Sequence, residues 1–308
     1  MKAIILNLSA WALLPFMDAI AKYLSSELSF FQITWARYFF TVFWTLPLMY
    51  FFFRKNLTFS ENPKLQIIRG LTLFSANICF FYSISIISMA KALTLAFVAP
   101  LITTALSPFF LKEKVGIRRW AAVLIGFLGS LIVIRPGYLD FNLATLAGLG
   151  TGFFYGIYLV ITRKLHSTDN PLLTLLLTGV VGAFISSFFV PIVWINPTIN
   201  QWIWLGIMGI FACLGHICLI YSLRYADASK LAPFGYFEII PNIILGYVIF
   251  NDFPDVWTFT GLTVICLSGY YVFRRELILK NLKGNINLPN TNILLLIYIV
   301  NICNYYLN

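Results

Sequence analysis

The chain has 308 residues, of which 60% are hydrophobic and 10% charged, with a formal net charge of +10. A soluble domain coats itself with roughly 25% charged residues. This chain lacks that coat, so most of its surface is expected to face lipid. The basic excess does not call for a nucleic-acid partner, because its distribution follows a membrane topology.

Apolar segments of the length that crosses a bilayer, about 20 residues, recur near 3–24, 30–53, 66–88, 91–111, 118–135, 144–164, 172–194, 203–223, 228–250 and 257–275. The first, opened by Lys2, reads as a membrane helix and not a secretory leader, since no small-x-small cleavage site follows it. Period-two alternation is absent, so the segments are helices and not barrel strands. The connections are a few residues each and leave no room for a soluble domain. The tail 277–308 differs: Ile293 to Leu307 is apolar but short, and Asn301 and Asn304 interrupt it. It is expected to be interfacial or poorly ordered and not an eleventh span. Cys79, Cys213, Cys218, Cys266 and Cys303 are scattered, with no CxxC pair or histidine cluster. Neither a metal site nor a disulfide framework is expected.

With the N-terminus in the cytoplasm, most of the 21 Lys and Arg fall on the inner side: Lys2, the 54–69 stretch including Arg69, the 112–119 stretch, Arg163, Lys164, Arg224, Lys230 and the residues after Arg274. Only Lys22, Lys91 and Arg135 fall outside, and Arg37 lies within a span. This is the positive-inside pattern, with both termini cytoplasmic.

The chain repeats internally. Phe81-Tyr82-Ser83 overlays Ile220-Tyr221-Ser222, and the same shift sets Lys91 on Lys230, Leu111 on Phe250 and Glu113 on Asp252. A one-residue slip then sets Gly129 on Gly269 and Arg135 on Arg275. Residues 1–138 and 139–276 thus form two five-helix units. Five is odd, so the second unit must enter the membrane from the opposite side. The loops agree: basic Leu111-Lys112-Glu113-Lys114-Val115 corresponds to Phe250-Asn251-Asp252-Phe253-Pro254-Asp255, which has no basic residue and two acids. The reading is an all-α membrane protein of about ten transmembrane helices in two inverted repeats, an architecture of secondary transporters whose substrate site lies between the halves.

Several ordered stretches carry a family likeness: Asp18-Ala19-Ile20-Ala21-Lys22-Tyr23-Leu24, Trp35-Ala36-Arg37, Arg69-Gly70-Leu71, Pro100-Leu101 with Leu111-Lys112-Glu113-Lys114, Arg118-Arg119-Trp120, Ile125-Gly126-Phe127-Leu128-Gly129, and Arg135-Pro136-Gly137. In the second unit they are Ala232-Pro233-Phe234, Tyr236, Pro254-Asp255, Gly261 and Gly269. From about residue 8 to 276 the chain resembles bacterial EamA-type members of the drug/metabolite transporter superfamily. The resemblance implies a ten-helix fold with alternating access to a central cavity, in the bacterial cytoplasmic (inner) membrane. Within that family the chain resembles carriers of riboflavin or S-adenosylmethionine, while other members export amino acids.

Ionisable groups within spans are costly and are candidates for function. At a rise of about 1.5 Å per residue, Asp18 and Arg37 lie about 9–10 Å from the outer ends of spans one and two, a depth that suits an ion pair. Glu238 and His216 lie about 10 Å from the cytoplasmic face on spans nine and eight, suited to proton exchange and hence to coupling. Candidate cavity residues are Trp11, Asn77, Tyr82, Tyr155, Tyr158, Tyr221, Tyr236 and Asn242, with Tyr82 and Tyr221 matched by the repeat. Aromatic faces suit a planar or cationic ligand, though most aromatics of such a chain simply face lipid or neighbouring helices. Gly126 and Gly129, and Gly148, Gly152 and Gly156, have spacings that let helices approach closely. Pro100 and Pro241 fall inside spans, where they favour kinks.

The chain has no GxxxxGK[ST] phosphate loop, so no ATPase subunit or primary pump is expected. Nor does it cluster a nucleophile with a base or carry an HExxH pattern, as an intramembrane enzyme would. The expectation is a gradient-coupled secondary carrier with a small-molecule substrate and no catalytic residues, metal or cofactor. A metabolite exporter or a non-transporting sensor are the alternatives.

Overall fold

The computed structural model describes residues 2–53, 60–111, 117–134, 142–165, 169–225, 231, 235 and 237–284. Its helices are α1 (Lys2–Leu24), α2 (Phe30–Phe53), α3 (Pro63–Ile86), α4 (Met89–Ala96), α5 (Ala99–Leu111), α6 (Ile117–Ile134), α7 (Leu143–Leu165), α8 (Pro171–Phe189), α9 (Ile199–Tyr225), α10 (Ile239–Phe250) and α11 (Val256–Gly284). A short 3₁₀ turn, Val190–Ile192, follows α8. No strand occurs among the described residues. The tail after Gly284, the junction near 135–141 and Tyr236 lie outside them.

Among the described residues, six helical stretches are long and apolar enough to cross a membrane: Lys2–Leu24, Pro63–Ile86, Met89–Leu106, Leu143–Leu165, Pro171–Ile192 and Ile199–Tyr225. Shorter apolar helices include Ile239–Phe250 and Val256–Ser268. The pattern of burial is that of a protein dissolved in lipid. Phe43, Leu46, Tyr50, Phe51, Phe184, Phe188, Ile244 and Val248 point outward, whereas Asp18, Arg37, Arg69, Asn77, His216, Glu238 and Asn242 are buried. Hydroxyls inside the helices bond backward to the carbonyl one turn earlier, as Thr41 does to Arg37 and Thr45 to Thr41, so they add little polar cost. This is an all-α membrane protein.

The fourth expected span is two helices, not one. The chain leaves α4 at Phe97–Val98 and resumes in α5, with Pro100 in the first turn. Pro241 likewise occupies the first turn of α10. A proline there has no intrahelical N–H bond to lose, so both prolines start helices instead of kinking them. The glycine stripe on α7 seats that helix over the first break. A Cβ on Gly152 would lie 2.8 Å from the Ala96 carbonyl oxygen, and one on Gly156 2.9 Å from that of Ala99. Gly129 of α6 and Gly261 of α11 meet in the same way, since a Cβ on Gly261 would lie 2.6 Å from the Gly129 oxygen.

The packing partners form a regular scheme. α1 lies along α9 and α3 along α7; α2 meets α8, and α6 meets α11. α2 also touches α9, as α3 touches α8, and α4 faces α10. Contact of α1 with α10 is matched by contact of α7 with α4 and α5. Pairing α1 with α7, α2 with α8, α3 with α9, α4–α5 with α10, and α6 with α11 exchanges every one of these contacts for another in the set.

Candidate functional site

The buried polar residues converge where α1, α2, α3, α7, α9 and the start of α10 meet. Arg37, 1% exposed, donates from Nη2 to His216 Nε2 at 2.7 Å and from Nε to the Met17 sulfur at 3.2 Å. Its guanidinium also sits 4.7 Å from the Tyr38 ring centroid. The Tyr38 hydroxyl accepts from Asn77 Nδ2 at 2.7 Å. The ring of His216 meets that of Tyr158 edge-on at 6.5 Å, and Tyr158 stacks on Tyr155 at 5.3 Å.

Arg69 completes the chain of contacts. It is fully buried and donates to Thr162 Oγ1 at 2.7 Å, the Thr174 carbonyl at 3.2 Å, Thr178 Oγ1 and the Tyr158 hydroxyl at 2.8 Å. Its guanidinium lies 4.6 Å from the Tyr158 ring centroid. Sequence reasoning counted Arg69 among the cytoplasmic loop charges. The structure puts it inside α3, two turns from Pro63, joining α3 to α7 and α8. The missed signal was its position inside the expected span 66–88, with no acid within one helical turn on either side.

Two expected pairings are replaced by others. Asp18 lies within electrostatic reach of Arg37 but makes no salt bridge with it, because Arg37 turns to His216; Asp18 Oδ1 is buried without a hydrogen-bond partner. His216 does not bond Glu238, because its Nε2 is taken by Arg37. Glu238 instead lies within electrostatic reach of Asp18 and of Tyr155. It stands at the N-cap position of α10, yet its side chain makes no capping bond. One turn on, Asn242 is fully buried and neither atom of its amide has a partner. Each guanidinium is thus held by an aromatic face and neutral acceptors, while among the described residues neither Asp18 nor Glu238 forms an ion pair. Unpaired buried charge is expensive, which makes such a cluster a candidate site.

The other candidates divide. Trp11 bonds Asn7 at 2.9 Å and packs near Gly235, beside the start of α10. Tyr155, Tyr158 and Asn77 belong to the cluster. Tyr82 instead packs on Phe30 near the end of α3, and Tyr221 stacks on Tyr225 near the end of α9. The structure does not bring that repeat-matched pair together. Tyr236 lies outside the described residues.

The loops at the two ends of the bundle are tied separately. At one end Lys22 forms an ion pair with Asp252, reaches the Ile87 carbonyl at 3.5 Å and lies 4.9 Å from the Phe250 ring centroid. Gln32 there both donates to and accepts from the Ile195 backbone. At the other end Asp169 accepts from Ser60 at 2.5 Å, from Gln66 at 2.6 Å and from the Glu61 amide at 3.1 Å.

A multi-pass helical bundle with charges buried between its helices is a membrane transport architecture. The chain belongs to the EamA-like transporter family, whose profile matches residues 1–135 and 142–274. It is 29% identical over 259 residues to the S-adenosylmethionine uptake transporter of Rickettsia bellii, covering 84% of this chain and 89% of that protein. It is 31% identical over 189 residues to the riboflavin transporter of Vibrio cholerae, covering 60% of this chain and 63% of the relative. A solved crystal structure matches with a TM-score of 0.63 at 17% identity, covering 89% of this chain and 98% of the other, a likeness of fold. The family and these relatives are transporters by description, consistent with a membrane-embedded protein that handles a small molecule.

Proposed function

We infer that the protein is a secondary carrier for S-adenosylmethionine or a closely similar metabolite, working by alternating access between two inverted five-helix units in the cytoplasmic membrane. The observation that carries this reading is the pair of buried carboxyls, Asp18 on α1 and Glu238 at the head of α10, which form no salt bridge among the described residues, beside the stacked Tyr155 and Tyr158. A sulfonium or ammonium centre would neutralise them, and an aromatic face would hold the flat base and the cation. The long match to an uptake transporter of that substrate supports the same choice. The exchangeable packing scheme and the two matched stretches of the family profile support the paired halves.

A second substrate, riboflavin, is favoured by one feature. The Tyr155 and Tyr158 rings, inclined by 28°, offer a stacking surface for a large planar ring, but that molecule brings no cation for Asp18 and Glu238. Proteoliposomes decide between them. Saturable counterflow of labelled S-adenosylmethionine, lost in Asp18→Asn and Glu238→Gln and indifferent to excess riboflavin, is the expected outcome. Saturable riboflavin counterflow unaffected by either substitution would replace this assignment with the second. If Glu238 exchanges protons during the cycle, Glu238→Gln flattens the pH dependence of uptake, whereas equal profiles for both proteins remove proton coupling through Glu238.

A further inference from the structure

His216 carries an N–H that nothing among the described residues accepts. An arginine guanidinium only donates, so the 2.7 Å contact from Arg37 requires that His216 Nε2 be the accepting, unprotonated nitrogen. In a neutral imidazole the proton then sits on Nδ1, and Nδ1 is buried with no hydrogen-bond partner. His216 is 4% exposed, and buried donors of this kind are nearly always satisfied. What is missing is an acceptor, and the surroundings specify its charge. Arg37 and Arg69 both exert their charge on His216; among the described residues neither forms a salt bridge, although Arg37 lies within electrostatic reach of Asp18. Asp18 and Glu238, the cluster's own acids, form no bond to the ring. The centre of the bundle thus sets acid on α1 and at the head of α10 against base on α2 and α9, with Asp18 within electrostatic reach of Arg37 and the Nδ1–H of His216 bonded to neither acid.

We propose that His216 Nδ1–H, held in that tautomer by Arg37, is a specificity-determining donor to a carboxylate oxygen of the transported molecule, so that the carrier selects zwitterions over the corresponding amines. The molecule's cationic group then lies against Asp18 and Glu238, and its carboxylate lies against His216 and Arg37. This rests on the carrier reading above and adds to it the class of group taken at the second pole. It also gives His216 a fixed recognition role in place of proton exchange with Glu238.

The test compares matched ligands that differ only in a carboxylate. In purified protein, S-adenosylmethionine is expected to bind at least about tenfold more tightly than its decarboxylated form, since a charge-assisted bond from a buried donor is worth that much. His216→Ala is expected to lower the ratio severalfold, with Arg37 keeping the remainder, and to act more on the affinity for the carboxylated form than on that for the decarboxylated one; His216→Asn, which still offers an N–H near the same place, keeps more of it. Wild-type protein that binds both forms equally, or a His216→Ala variant that discriminates as strongly as wild type, overturns the proposal. If neither adenosyl compound binds, it is the substrate assignment that fails. Lysine against cadaverine and arginine against agmatine then carry the comparison, and preference for the amines overturns the proposal. A spectroscopic measurement needs no ligand or variant at position 216. With His166, the other of the two histidines, replaced by Gln, nitrogen-15 spectra of labelled histidine are expected to show a protonated Nδ1 and a bare Nε2. The opposite tautomer overturns the proposal whatever the substrate is.

Discussion

Arg69 shows how a single side chain organises the centre. Its donors hold Thr162 and Tyr158 of α7, and Thr174 and Thr178 of α8, so one guanidinium on α3 fixes three helices and the orientation of the Tyr158 ring. Each buried acceptor left without its donor costs about 1–3 kcal/mol. Arg69→Ala is accordingly expected to lower the melting temperature in detergent sharply. Arg69→Lys, which keeps the charge but loses the planar fork, is expected to fall in between. Thermal unfolding followed by tryptophan fluorescence checks the order; equal melting temperatures for all three proteins would mean that the network contributes nothing to the fold. The same residue marks the limit of the sequence. Asp18, Arg37, His216 and Glu238 stood out because charge inside an apolar run is conspicuous. Their partners did not, because rise per residue gives depth in the membrane but not the direction in which a side chain leaves its helix. Depth matched Asp18 to Arg37, and azimuth sent Arg37 to His216. Arg69 was hidden by neighbouring loop charges that resemble it in composition.

At the scale of elements, most helix positions were legible because lipid demands long apolar runs and short basic connections punctuate them. The break between α4 and α5 was not, because Phe97 and Val98 are as apolar as the helices they interrupt. What makes the break tolerable is on another element. Gly148, Gly152 and Gly156 let α7 lie against it, where Ala96 and Ala99 turn backbone groups toward α7. A methyl group at 152 has backbone and not a flexible side chain to displace. Over-packing of this kind typically costs about 1–3 kcal/mol, and Gly152→Ala should cost at least that, with Gly152→Leu preventing a stable fold. Gly150, whose Cβ would meet the Cys79 sulfur at 3.4 Å, provides the control. Gly150→Ala is expected to be nearly neutral, so a Gly152→Ala protein as stable as Gly150→Ala would contradict the seating of α7.

At the scale of the whole molecule, the two ends of the bundle are tied by separate sets of contacts. The sequence places the loops near residues 22–30, 87–90 and 251–255 on the outer face by their charge, and the structure joins them through Lys22, Ile87 and Asp252. The loops assigned to the inner face, near 54–65 and 165–171, are joined through Asp169. Loop charge thus reported which loops share an end, although no sequence pattern specified the contacts that tie them. If transport needs the centre to open alternately to each side, the Lys22–Asp252 contact must part once per cycle. Paired cysteines, Lys22→Cys with Asp252→Cys, bridged by a short bifunctional thiol reagent, are then expected to abolish counterflow, and a cleavable bridge should restore it on reduction. Substrate binding measured in detergent should survive the bridge if the centre stays reachable from the inner end. The single-cysteine proteins treated with the same reagent control for modification alone. A bridged protein that turns over at the rate of the unbridged one would show that α1 and α10 need not separate at this end, and alternating access through the Lys22–Asp252 contact would have to be abandoned.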